Sequence, residues 1–223
     1  MDFPDSLAFA VDRANEIIFS KQNISPEEKS QLAAYFLSKQ LQTGPHAGLF
    51  APTADDLAEG VHLFTGERLH THLGPRNVLS AETVRTFRLL DLQAADFDGN
   101  VGKAQQKLTD SCFAAQFCIV GECAHSAVGF MRLLASGIKH DSEARLRAHI
   151  KVITTQRDGK GRWKHFPFHY TLLALSEAGL SDAVEELRYA ALAFEESMRK
   201  QGSLEPKYAR RRQRLLDNVL AMC

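Results

Sequence analysis

The chain repeats a plan, and that repetition constrains its fold more than any other feature. Three segments each read as a helix ending in glutamine, a loop carrying glycine or an aromatic, and a second helix opening with Thr or Asp and closing at glycine. The first runs from Phe36 through Gln40, Gly48 and Phe50 to Thr53 and Gly66. The second runs from Leu89 through Gln93 and Gly99 to Thr109 and Gly121. The third runs from Val152 through Gln156, Gly161 and Trp163 to Thr171 and Gly179. The three glutamines are 53 and 63 residues apart, so insertions must lie between the units. A glutamine amide both donates and accepts, so at a helix end it can hold loop backbone. A hairpin of two helices cannot bury both faces alone and must stack on its neighbours.

Helix punctuation supports the plan. Ser25-Pro26-Glu27-Glu28 is a capping box with proline at the first helical position. Ser80, Ser142, Ser181 and Pro206 mark further starts, while Gly137 and Gly179 fit helix ends. The spacing predicts helices near 5–22, 26–41, 53–65, 80–93, 109–121, 124–136, 142–156, 169–178, 181–200 and 206–221, with almost no strand-like alternation. The expectation is one all-α domain over 1–223, with hairpins at 26–66, 80–121 and 142–180 and C-terminal helices over 181–221.

The composition is that of an ordinary globular chain, with 44% hydrophobic and 24% charged residues. Basic and acidic residues number 27 each, so no overall field favours nucleic acid or an anionic membrane. The first residues carry acids where a signal peptide needs bases, and no run is long and apolar enough to span a bilayer. A cytoplasmic location is expected. Cys112, Cys118, Cys123 and Cys223 are then expected to be reduced, buried thiols.

Gln156 with Gly161-Arg162-Trp163, followed by Phe166-Pro167-Phe168-His169-Tyr170-Thr171-Leu172-Leu173-Ala174-Leu175, resembles a repeat of the terpenoid cyclase and protein prenyltransferase superfamily. Weaker copies at Gln40 and Gln93 extend the resemblance over roughly 26–180. It implies an α/α toroid of alternating helical hairpins around a cavity for an apolar, isoprenoid ligand. There are fewer hairpins here than a closed double ring needs, so the expected ring is incomplete. Thr109-Asp110-Ser111-Cys112-Phe113 and Phe168-His169-Tyr170 are similar to the two zinc-bearing segments of prenyltransferase β subunits. By that resemblance Asp110, Cys112 and His169 become zinc ligands, a set that leaves a fourth position for a substrate thiol. Phe113, Trp163, Phe166, Phe168 and Tyr170 become cavity aromatics. The cyclase-type acid motif is not reproduced: Asp96-Phe97-Asp98-Gly99 is the nearest stretch, and the segment Ala124 to Ser136 has no place in the repeat.

Other groups have plainer explanations. Cys118, Cys123 and His125 could bind metal, but their spacing is not that of a zinc finger. His62, His70 and His72 read as solvated loop residues or as the mouth of a pocket. Lys207, Arg210, Arg211, Arg212 and Arg214 read as a solvated helix face, and Arg85 and Arg88 are alternative phosphate contacts. Gly-rich phosphate loops, nucleophile elbows and His-Glu-x-x-His stretches do not occur in the sequence.

Two functions follow as expectations. One is a prenyltransferase- or cyclase-like transferase, lyase or isomerase that binds an apolar ligand. The other is a non-catalytic helical-repeat scaffold whose open ends contact a partner subunit or another copy.

Overall fold

The structure is a computed structural model that describes residues 4–92, 97–138, 141–199 and 204–223, with the side chains of 97, 98, 195 and 198 not described. Among these residues there is no strand, only the isolated bridges Gln40–Phe50, His62–Arg68 and Arg157–Trp163. The helices are α1 Leu7–Phe19, α2 Pro26–Ser38, α3 Ala54–Glu59, α4 Leu73–Leu89, α5 Gly102–Asp110, α6 Cys112–Ala115, α7 Cys123–Ala135, α8 Ser142–Thr155, α9 Phe168–Ala178, α10 Ser181–Ala190, α11 Phe194–Arg199 and α12 Pro206–Leu220. A π-helical turn at Phe97–Val101 precedes α5, and a 3-10 turn at Ala191–Ala193 joins α10 to α11.

Caps explain most of the starts. Ser25 and Glu28 form the expected capping box on α2. Asp56 serves two helices: it accepts from Thr53 N–H at the start of α3, and from Leu7 N–H and Ala8 N–H at the start of α1. One carboxylate therefore fixes the angle between two chain segments 49 residues apart.

Four expected helices differ. The one expected over 53–65 stops at Glu59, and the one expected over 181–200 is interrupted by the 3-10 turn at Ala191–Ala193. The helix expected from Ser80 begins seven residues earlier, at Leu73. Ser80 is not a cap but a pin, accepting from Phe50 N–H at 2.9 Å and donating to Phe50 C=O at 3.1 Å. Pro75 is tolerated there because it lies in the first turn, where its missing N–H has no helical partner. The segment expected as one helix over 109–121 is broken instead: α5 ends at Asp110, α6 spans four residues, and Phe117 and Gly121 both take positive φ in the loop that follows.

The core centres on α4, α7 and α9, with α7 packed between the other two. All three are buried over nearly their whole circumference. α1 and α5 pack on α4, α8 on α7, and α10 and α12 on α9. The segment Ala124 to Ser136, which has no place in the repeat, thus holds the middle of the molecule.

The repeat is visible in the backbone of two bends, shifted by one residue from the glutamine alignment. In the first bend Ala51 N–H donates to Lys39 C=O and Leu41 N–H to Leu49 C=O. In the second, Lys164 N–H donates to Gln156 C=O and Asp158 N–H to Arg162 C=O. Phe50 and Trp163 occupy matching places, and so do Gln40 and Arg157. Gln40 ties its loop as expected, donating to Gly48 C=O at 2.6 Å and Asn100 C=O at 2.7 Å. Gln156 instead donates to the Thr155 hydroxyl. Gln93 lies outside the described residues. Thr53 caps α3, whereas Thr109 is the penultimate residue of α5 and Thr171 sits inside α9, its hydroxyl donating back to Pro167 C=O.

Buried charge knits the centre. Arg132 on α7 donates to both oxygens of Glu177 on α9, to Asn15 on α1 and to Glu82 on α4. Arg85 donates to Asn15 and Glu177, and the Tyr170 hydroxyl to Glu82. Arg85 is consumed in this balanced set, which links four helices. The basic face of α12 is likewise structural in part: Arg211 pairs with Asp12 and Glu16, and Arg212 donates to Thr65 C=O.

Candidate metal centre and its cleft

Three cysteines distant from one another in helical register are brought together by the break in the chain after α5. Cys112 opens α6, Cys118 lies in the loop turned by Phe117 and Gly121, and Cys123 opens α7. Their sulfur atoms all lie within 4.8 Å of one another, the one such group of metal-ligand type among the described residues. Cys112 Sγ and Cys123 Sγ are 3.8 Å apart. A tetrahedral zinc with bonds of about 2.3 Å to sulfur requires sulfur–sulfur edges of about 3.8 Å. The Cys112–Cys123 edge matches that length, and the other two sulfur–sulfur edges, each within 4.8 Å, are close enough for all three to reach one metal ion.

The thiols are not buried as expected: Cys112 is exposed, and Cys118 and Cys123 are half-buried. A backbone N–H from Val120 pulls the Cys118 thiol down from its ordinary value, outweighing its desolvation. Burial, with the adjacent Cys118 and Cys112 sulfurs, pushes the Cys123 thiol up to about 12. Three thiolates this close repel one another, and a cation removes that penalty.

The cluster opens on a cleft of about 440 Å³, with Cys112 and Cys123 in its wall beside Leu49, Leu73, Phe113 and Val120. Glu122 is anchored there by the backbone N–H groups of His70 and Thr71 and by the Thr71 hydroxyl. Gly74 makes room for this carboxylate: a Cβ at that position would come within 2.1 Å of Glu122 Oε2.

Of the residues singled out in the sequence, Cys112 joins this site and Phe113 lines its cleft. Asp110 is instead held by Gln106, at 2.8 and 2.9 Å to its two oxygens. His169 is buried on α9, with Nε2 2.6 Å from Ser197 Oγ and Nδ1 3.7 Å from Glu67 Oε1. Burial holds His169 below the usual histidine range despite that carboxylate. Burial works to raise Glu67, but the hydrogen bond and positive charge of His169, the Thr65 hydroxyl and the charge of Arg212 leave it at about 2. The Thr65 hydroxyl and the backbone N–H groups of His169 and Tyr170 at the start of α9 also donate to Glu67.

The other four aromatics pack elsewhere. Trp163 donates from Nε1 to Glu186 Oε2 at 2.8 Å and lies 6.0 Å from Phe168. Phe166 is buried in the core, and Tyr170 faces Glu82. His125 is partly buried, its Nδ1 without a hydrogen-bond partner among the described residues; burial lowers its pKa against the opposing charges of Glu122 and Glu67. His70 and His72 are exposed, while His62 lines a separate groove of about 300 Å³ with Asp12 and Tyr208.

The sequence signal for the cluster was present as a Cys-x5-Cys-x4-Cys spacing, but an unbroken helix would have spread those residues along its surface. Comparisons with protein-family models, with curated proteins and with solved structures gave no match. No described helix is long and apolar enough to cross a membrane.

Proposed function

We propose that this chain is a metal-thiolate protein that binds one zinc ion through Cys112, Cys118 and Cys123 and receives a small ligand in the adjoining cleft. The observation that carries this reading is the mutual approach of the three sulfurs within 4.8 Å. Soft thiolates select zinc or copper(I) over magnesium or calcium. Three protein ligands leave zinc a fourth position, which is the arrangement of sites that act on a bound molecule rather than merely brace a fold. Bound there, zinc would supply Lewis acidity or hold a donor atom of the ligand. Leu49, Leu73, Phe113 and Val120 supply an apolar wall, the best support for the apolar ligand that the toroid resemblance implies. The reading also places the protein in a reducing compartment such as the cytoplasm, where thiols stay free.

Metal analysis of purified protein tests it. The expected result is about one zinc per chain, lost on Cys112→Ser, Cys118→Ser or Cys123→Ser and retained on Asp110→Ala and His125→Gln. Cobalt substitution should give intense sulfur-to-metal charge-transfer absorption. Metal-free protein that takes up neither ion under reducing conditions would end the proposal.

A further inference from the structure

The same cleft has a second chemical feature, whose evidence is independent of the sulfurs. Arg76, in the first turn of α4, lines it together with His46 from the loop before α3. Arg76 is half-buried, and its Nε is sealed from solvent with no hydrogen-bond partner among the described residues. Burial lowers its pKa, and no carboxylate offsets that shift. Burial also lowers His46, and the positive charges of Arg76 and Lys107 add to the effect, so three basic groups share one field. Lys107 is held close by donating to Pro45 C=O at 3.1 Å.

Among the described residues, no acid lining the cleft is free to neutralise them. The cleft carboxylate, Glu122, already has its oxygens engaged by His70 and Thr71. A desolvated guanidinium is normally paired, because its planar fork matches a carboxylate or phosphate at two points. Leu73 and Val120, at 58% and 79% exposure, leave apolar surface open beside it.

We infer that the cleft binds a small amphiphilic anion, its carboxylate or phosphate group paired with Arg76 and its apolar part lying against Leu73 and Val120. Both oxyanions present the same chemistry to a guanidinium, and the two arms of the experiment below tell them apart. The unpaired Arg76 then has its counter-ion, and the exposed apolar pair has its cover.

Calorimetric titration of the full-length protein with hexanoate, hexyl phosphate and hexanol is the test, with inorganic phosphate as a fourth probe. At least one of the two anions should bind ten times or more tighter than hexanol, and the better one identifies the head group. Inorganic phosphate should bind more weakly than hexyl phosphate. Arg76→Gln should abolish the preference over hexanol with zinc content unchanged, and Arg76→Lys should keep part of it. Hexanol binding as tightly as both anions, undiminished preference in Arg76→Gln, or no binding of any probe at millimolar concentration would each overturn the inference. Zinc uptake with no anion preference would sink this inference and leave the metal reading standing. An anion preference in protein that takes up no zinc would do the reverse.

Discussion

Arg132 on α7 meets Glu177 on α9 in a two-point ion pair, Nε to Oε2 at 2.8 Å and Nη2 to Oε1 at 2.9 Å. The pair has almost no contact with water on the arginine side. Removing one partner of such a pair strands the other's charge in a medium that solvates it poorly. Arg132→Met is therefore expected to cost about 3–5 kcal/mol of unfolding free energy, read from urea denaturation. A change within a few tenths of wild type would show that the network does not hold the four helices together.

A histidine that belongs to no motif should control acid stability. His149 on α8 is buried against Phe117 and Phe130, with Nε2 unpartnered. Burial, aided by the charge of Arg145, pushes its pKa down to about 4 from 6.5. The folded state therefore binds fewer protons than the unfolded chain between these values, and stability is lost as pH falls from about 6.5 toward 4. The contribution is up to about 3 kcal/mol. Between pH 7.5 and 4.5, wild type should lose more stability than His149→Met; parallel curves would refute this assignment.

Glu67 should act over a lower range. Its folded pKa of about 2 lies below the ordinary 4.5, so it stabilises above 4.5 and the contribution fades as pH falls toward 2. Glu67→Gln should be destabilised at pH 7 and approach wild type near pH 2, which circular dichroism across an acid titration can follow. A constant difference over the whole range would show that packing, not charge, is lost.

Trp163→Phe isolates one polar contact in a buried setting. The substitution keeps an aromatic in the bend but removes the Nε1 donor to Glu186, whose other partners are Thr154 and Arg157. A loss of about 1–3 kcal/mol is expected from chemical denaturation, because a buried acceptor loses a donor.

Zinc should stabilise the fold in proportion to its occupancy. At free zinc a hundredfold above Kd the gain is about 2.7 kcal/mol, and a chelator should reverse it. Thermal scans of Cys118→Ser should show no such shift. A shift of equal size in that variant would place the stabilising metal elsewhere.

Much of the fold was legible because helix boundaries are local. Ser25 to Glu28 wrote the start of α2, Gly179 the end of α9, and Pro206 the start of α12. The failures came where a residue served a distant partner. Ser80 looks like a cap in sequence, yet its hydroxyl belongs to Phe50, thirty residues away. Asp110 and Cys112 sit two apart as a ligand pair would, but the helix breaks at Ser111 and sends them to different neighbours. The candidate site was legible only in its ingredients. Cys118 and Cys123 drew attention by spacing, while Arg76 and Glu122 carried no sequence signal.

Amino-acid order alone determined that this chain is helical and roughly where most of its helices lie, and it pointed to three repeated bends, of which the backbone at Gln40 and Gln156 shows two. Those properties depend on backbone hydrogen bonds and caps within a few residues. Which helices lie innermost, where Arg132 finds its counter-charges, and which sulfurs face one another were decided only by the packed structure. Burial and charge pairing act between residues that sequence keeps far apart, and their energies exist only once the helices have docked.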